Sequence, residues 1–168
     1  MDRPVHQDLR ERLSENADGI VEKIAEEFAV TPFDVTRALP ADHVAFVDGE
    51  RFEEVMTALS AWGPVLVIVH TADIVLEVKG KIPTGTFGRG YYNIHCDSPI
   101  GGHIRAERCE AIAFVMRPFM GRQSASVQFF SCDGAAMFKV FVRRDEQREL
   151  IAEQLEQFRT LRDELCGR

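Results

Sequence analysis

His70 and His103 are the residues of this chain whose type and placing could do chemistry. They stand in Val65-Leu66-Val67-Ile68-Val69-His70-Thr71-Ala72-Asp73 and in Ser98-Pro99-Ile100-Gly101-Gly102-His103-Ile104. Each closes or opens an apolar, strand-like run at a turn. Two neutral imidazoles presented from apolar walls suit a metal or a haem iron. A single histidine at a strand end is more often solvated or hydrogen-bonded in a core than a ligand. Spacing alone therefore leaves both readings open.

The neighbours add detail. Side chains alternate along a strand, so Leu66, Ile68 and His70 share one face and Val65, Val67 and Val69 the other. Both faces are apolar, which predicts a covered strand with His70 at the rim of a buried surface. In the second segment His103, Arg105 and Glu107 are expected on one face, with Ile104 and Ala106 turned away. Arg105 could then meet an anionic group such as a carboxylate, or make a cross-strand ion pair with a neighbouring acid. Arg117-Pro118-Phe119-Met120-Gly121-Arg122 puts the apolar pair Phe119-Met120 between two strand-like runs. Such a loop could cover a flat apolar ligand or a dimer partner, or tuck into the core. His95 is a third imidazole near Cys96, while His6 and His43 lie in helical or turn surroundings. No G-x-S-x-G, Walker loop or H-E-x-x-H is present. Gly88-Arg89-Gly90 reads as a bulge between strand segments.

These residues must be positioned by the elements around them. Leu9, Leu13, Ile20, Ile24 and Phe28 recur at helical spacing, interrupted at Asp18-Gly19. Thr31 followed by Pro32 predicts a capped short helix ending near Pro40. Residues 1–40 thus form a helical cap that imitates a helix-turn-helix. Its third helix offers only one Arg and one Asp for phosphates and base edges, which disfavours a DNA-binding regulator. Glu50 to Trp62 is a further helix. The strand candidates are Val65–His70, Ile74–Lys79, Phe87–His95, Gly102–Glu107, Ala111–Arg117, Ser124–Phe130 and Ala136–Val142. Short connections, including the hairpin signal Asp133-Gly134, predict a long antiparallel meander across residues 44–143. An amphipathic helix over 145–165 closes the chain. The class is α+β, a single domain over 1–168.

Composition sets limits. With 168 residues, the chain buries roughly 70% of its unfolded surface without a staple. A formal charge of −7 argues against a general nucleic-acid binder. The four cysteines, Cys96, Cys109, Cys132 and Cys166, have no C-x-x-C or zinc-finger spacing. No signal-peptide pattern opens the chain, and Val65–Val69 is too short to span a bilayer. These features predict a cytoplasmic protein with reduced thiols and no stable membrane insertion.

Several phrases resemble the cytosolic haem-utilisation carrier proteins of Gram-negative bacteria. They are His70-Thr71-Ala72-Asp73, Gly90-Tyr91-Tyr92-Asn93-Ile94, Gly101-Gly102-His103-Ile104, Arg117 to Phe130 and Ala136 to Val142. The resemblance runs from about Gly19 to the C-terminus. It implies haem as cargo, a homodimer, and a fold like one repeat of the larger two-repeat haem-handling proteins. It implies His70 and His103 as the iron-linked pair and gives His95 no role. Arg105, Phe119 and Met120 are candidate haem contacts. The implied partners are a haem-degrading enzyme and an inner-membrane haem importer. Two axial imidazoles would saturate the iron and suppress oxygen activation, which fits a non-enzymatic carrier. A haem-degrading enzyme is the alternative and would need an open sixth position.

Overall fold

The computed structural model describes residues 7–95 and 97–167, so His6 and Cys96 lie outside the described residues. The chain opens with α1 (Gln7–Glu15), which buries Leu9 and Leu13. The interruption expected at Asp18-Gly19 is a turn with Gly19 at φ 126°. α2 (Val21–Phe28) buries Val21, Ile24 and Ala25 and ends on a left-handed Ala29. α3 (Pro32–Arg37) begins with the anticipated cap. Thr31 accepts from the Asp34 N–H, and the Asp34 carboxylate accepts from Thr31 in return. Phe33 donates its backbone N–H to Gly134 O and packs on Phe46 and Phe130. The third helix is thus docked on the sheet, as a packed cap requires.

β1 (Val44–Asp48) leads through a 3-10 turn into α4 (Phe52–Leu59), whose buried stripe is the anticipated Phe52, Val55, Met56 and Leu59. The turn passes so close to its neighbour that a Cβ on Gly49 would lie 1.8 Å from the Cys109 carbonyl oxygen. Then follow β2 (Pro64–His70), β3 (Val75–Lys81), β4 (Gly85–Gly88), β5 (Tyr91–Ile94) and β6 (Gly102–Ile104). β7 (Cys109–Phe119), β8 (Arg122–Ser131), β9 (Ala136–Phe141) and α5 (Ala152–Cys166) complete the chain.

Every pairing is antiparallel, as expected, but the strands do not form one meander. They divide into a six-stranded sheet, β1-β7-β8-β9-β2-β3, and a three-stranded sheet, β4-β5-β6. The division falls at Ile82-Pro83. Ile82 turns into the core at 1% exposure, and Pro83 has no N–H to continue the ladder. The expected strand Phe87–His95 is instead a hairpin. Arg89 and Gly90 both take positive φ, 54° and 80°, which is a two-residue turn and not a bulge. The expected strand Gly102–Glu107 stops at Ile104, because a 3-10 turn takes over at Ala106–Arg108. The last helix begins at Ala152 and not at Asp145. The Asp145 carboxylate accepts from the Gln147 and Glu149 N–H groups, and this turn competes with the helix.

The six-stranded sheet has two unlike faces. Ile112, Phe114, Val127, Phe129, Val140 and Val65 face α4, α5 and the small sheet in the larger core. Ala113, Val115 and Phe130 meet α1, α2 and α3 in a second core. The helical cap covers only part of this second face. Phe119, Phe141, Leu66 and Ile68 share it and remain half-buried, and Val75 beside them is exposed.

Candidate functional site

His70 ends β2 on the partly covered face. Its Nδ1 lies 3.2 Å from Oε2 of Glu22, which projects from α2. The other oxygen of Glu22 pairs with the Lys139 ammonium, which reaches across from β9 on the same face. All three are largely enclosed, with side-chain exposures of 20%, 15% and 8% for His70, Glu22 and Lys139. Burial pulls the Lys139 ammonium below the ordinary lysine range, and the Glu22 carboxylate opposes that pull. Beside His70 a hollow of about 650 Å³ opens between α2 and the turn after β2, lined by Lys23, Glu26, Val30 and Ala136 among others.

His103 is built differently. On β5 the buried Tyr92 and Ile94 point into the core, so Tyr91 and Asn93 point outward. His103 pairs with Asn93 across the strands and joins them on the outer face of the small sheet. Its Nδ1 lies 2.7 Å from Asn93 Oδ1. The Asn93 amide nitrogen donates to the Thr86, Gly88 and Tyr91 carbonyls. Those three carbonyls fix the amide's orientation, so Oδ1 must accept and His103 Nδ1 must carry the proton. The free lone pair of His103 is therefore on Nε2. Tyr91 and His95 rings stand 5.9 and 6.0 Å from the His103 ring.

Arg105 lies past the end of β6, so the expected common face with His103 and Glu107 on one strand does not exist. Its guanidinium instead sits 5.7 Å from the centre of the Tyr91 ring, and hydrogen bonding to Tyr91 raises its pKa. It still stays beside His103, because both line the rim of an apolar cavity of about 340 Å³. Val67, Val69, Met56, Ile100 and Phe138 form much of that cavity's wall.

Phe119 and Met120 line neither cavity. Phe119 is half-buried against Phe141, with the Arg117 guanidinium over its ring. Met120 is 80% exposed at the tip of a two-residue turn with Gly121, both at positive φ. The expected loop is thus a hairpin tip, half tucked and half open. Arg117 is buried and donates to the Ala17 and Gly19 carbonyls, so it braces the cap. Asp18 accepts from the Met120 and Gly121 N–H groups at 2.8 Å each, and these bonds hold its carboxyl below the usual range. A depressed carboxyl stabilises the fold above its unfolded pKa of about 3.9 and loses that contribution as pH falls through the folded value. Asp18→Asn should therefore flatten the acid limb of the stability curve below about pH 4, read by urea unfolding across pH; an unchanged limb would refute the assignment.

Glu22, Lys139, Asn93 and Tyr91 are the members of this site to which the sequence assigned no role, although the last three lie in phrases that carry the resemblance. Asn93 carried one usable signal, since it alternates with Tyr91 and His95. Glu22 carried none, because only the docking of α2 brings it to β2. Among the described residues no group of three or more His, Cys, Asp or Glu side chains could hold a bare metal ion. Two isolated imidazoles, each with Nδ1 engaged by a protein group and Nε2 left over, fit an iron already chelated in a flat ring.

The arrangement has the fold of one repeat of larger two-repeat proteins. The Escherichia coli O157:H7 heme degrading enzyme ChuS superposes with TM-score 0.74 at 14% identity, over 95% of this chain and 48% of that one. At that identity the likeness concerns the fold alone. Closer similarity is found to the crystal structure of ChuX, 40% identical with TM-score 0.89, covering 95% of this chain and 99% of that one. A protein of Erwinia carotovora is 45% identical with TM-score 0.91, covering 94% and 98%. In sequence, the chain is 41% identical over 142 residues to the intracellular heme transport protein HutX of Vibrio cholerae serotype O1, which is 84% of this chain and 74% of that one. Residues 45–161 match the family described as Haem utilisation ChuX/HutX. The chain belongs to the haem utilisation ChuX/HutX family.

Proposed function

We propose that this protein is a haem-binding carrier of the cytoplasm, with His70 and His103 as iron ligands, working as a homodimer. The observation that carries this reading is the placing of the two imidazoles. Each has Nδ1 engaged by a protein group, which leaves Nε2 for a metal; His103 lines an apolar cavity, and His70 lines a hollow of mixed character. The likeness to the Vibrio cholerae heme transport protein supports the carrier role.

The two rings face away from each other. His70 is on the outer face of the large sheet, and His103 on the outer face of the small one. Stacked sheets lie about 10 Å apart, whereas two nitrogens on one metal lie about 4 Å apart, twice a metal–nitrogen bond of about 2 Å. Placed so, one chain would not offer both rings to one iron. A second copy can supply the missing ring. Apart from that site, the half-buried strip of Phe119, Phe141, Leu66 and Ile68, with Met120 and Val75 exposed at its ends, is apolar surface on the His70 face that a second copy could cover. Arg105, which lines the same cavity as His103, would be a cation available there for a haem propionate. With both axial positions filled, the iron would carry no open site for oxygen. The chain would then accept haem from an inner-membrane importer and pass it to a haem-degrading enzyme.

A titration with ferric haem, followed in the visible and by light scattering, tests this. The expected results are a low-spin spectrum, one haem per chain and a particle of twice 19.0 kDa. Adding a reductant in air should leave the Soret band in place. Loss of that band with formation of a bile pigment would favour the enzyme, and a monomer at all concentrations would remove the shared site.

A further inference from the structure

The two imidazoles are held by partners of unlike charge. We propose that they are unequal iron ligands: Glu22, clamped by Lys139, makes His70 the anchoring ligand, and Asn93, clamped by three backbone carbonyls, makes His103 the releasing one. This rests on the reading of both histidines as ligands. Glu22 and Asn93 are positioning residues, since each acts through a ring nitrogen that does not face the iron.

The physical basis is the partner at Nδ1. A carboxylate 3.2 Å from His70 Nδ1 favours the proton there and pushes electron density toward Nε2. A charge-assisted contact of this kind is roughly twice as strong as a neutral one. Lys139 occupies the second carboxylate oxygen, so Glu22 is fixed from both sides. At His103 the acceptor is a neutral amide oxygen. It sets the tautomer and ring orientation as firmly, but lends less basicity to Nε2.

Surroundings reinforce the difference. His70 is largely enclosed beneath α2, whereas His103 is exposed on a three-stranded sheet. A ligand that is less basic and open to water is the one a receiving protein can displace first. Release would then begin at the small sheet, and the haem would stay tethered through His70 until the acceptor has bound the open side of the iron. Arg105 and Tyr91, next to His103, would be the first residues such an acceptor meets.

The test has an arm that needs no haem. Long-range proton–nitrogen NMR of the apo-protein should show both rings protonated at Nδ1, and Asn93→Ala should leave His103 as a tautomer mixture. In the second arm, haem loss to an excess of a haem-scavenging apo-protein is timed. Glu22→Gln should speed loss by about 10–100-fold, the usual effect of removing an outer-shell partner, and Glu22→Asp should recover part of it. Asn93→Ala should have a smaller effect, and His103→Ala should hold haem longer than His70→Ala. Should Glu22→Gln fold poorly, Lys139→Met retains the carboxylate without its clamp and should speed loss in the same direction. Equal loss from the two histidine variants, or a larger effect of Asn93→Ala than of Glu22→Gln, overturns the asymmetry while leaving both rings as ligands. Unchanged Soret bands in both alanine variants would overturn the ligand reading itself, and this proposal with it.

Discussion

His70→Ala and His103→Ala should each shift the Soret band and weaken haem retention by more than the about 10–100-fold that follows loss of an outer-shell partner. The double variant should lose most, and His95→Ala should change little, since His95 sits beside His103 without facing either cavity's apolar wall. Mixing the two single variants gives the most discriminating result. If each iron takes His70 from one chain and His103 from the other, a dimer of one His70→Ala chain and one His103→Ala chain has one site with both rings and one with neither. Unfolding and refolding an equal mixture should therefore restore wild-type spectra at a quarter of all sites, because half of the dimers are mixed and half of their sites are whole. If one chain supplied both rings, mixing would restore none. Recovery of a native spectrum after mixing is thus a direct reading of ligation across subunits. A double variant that binds haem with an unchanged spectrum would move attention to Met120, which is exposed and carries a thioether that can ligate iron.

Local patterning made much of the frame legible. The capped turn at Thr31, the buried stripe of α4 and the Asp133-Gly134 hairpin all depend on residues within a few positions of each other, and all are present. What local patterning could not supply is which strands meet. β1 pairs with β7 and β2 with β9, partners far apart in sequence, so a run of short connections looked like one meander. The turn at Arg89-Gly90 was hidden because arginine is an uncommon residue at positive φ. The site shows the same limit. His70 and His103 were legible by type and by the resemblance of their surroundings, but their opposite facing depends on a small sheet folding over the large one. Arg105 was placed on the wrong backbone, since nothing local distinguishes a strand that continues from one that breaks into a 3-10 turn. Glu22 and Lys139 read as ordinary helix and strand charges, and only tertiary packing brings them together behind His70.

That packing leads to the second large effect, on stability. Lys139 is 6% exposed, and its ammonium is paired with Glu22. Glu22→Leu should leave a buried charge uncompensated and cost about 3–5 kcal/mol in urea unfolding at pH 7. Lys139→Met, which leaves the less enclosed Glu22 beside His70, should cost less. The pair Glu22→Leu/Lys139→Met should return close to wild-type stability, because an apolar replacement of a buried ion pair is often neutral or stabilising. The sign with pH follows from the direction of the lysine shift. With the carboxylate gone, burial and the nearby Arg117 charge act on Lys139 unopposed, and its folded pKa falls further below its ordinary value. Between the folded and unfolded pKa values the unfolded chain then binds more protons, so the stability of Glu22→Leu should rise from pH 7 toward pH 10. A single variant within about 1 kcal/mol of wild type at pH 7 would mean that water reaches Lys139 and that the triad is loose. The double variant decides why the charges are there. A fold that keeps its stability without them but loses haem faster would show that this pair serves His70, and that the chain tolerates two buried charges to keep one imidazole aimed.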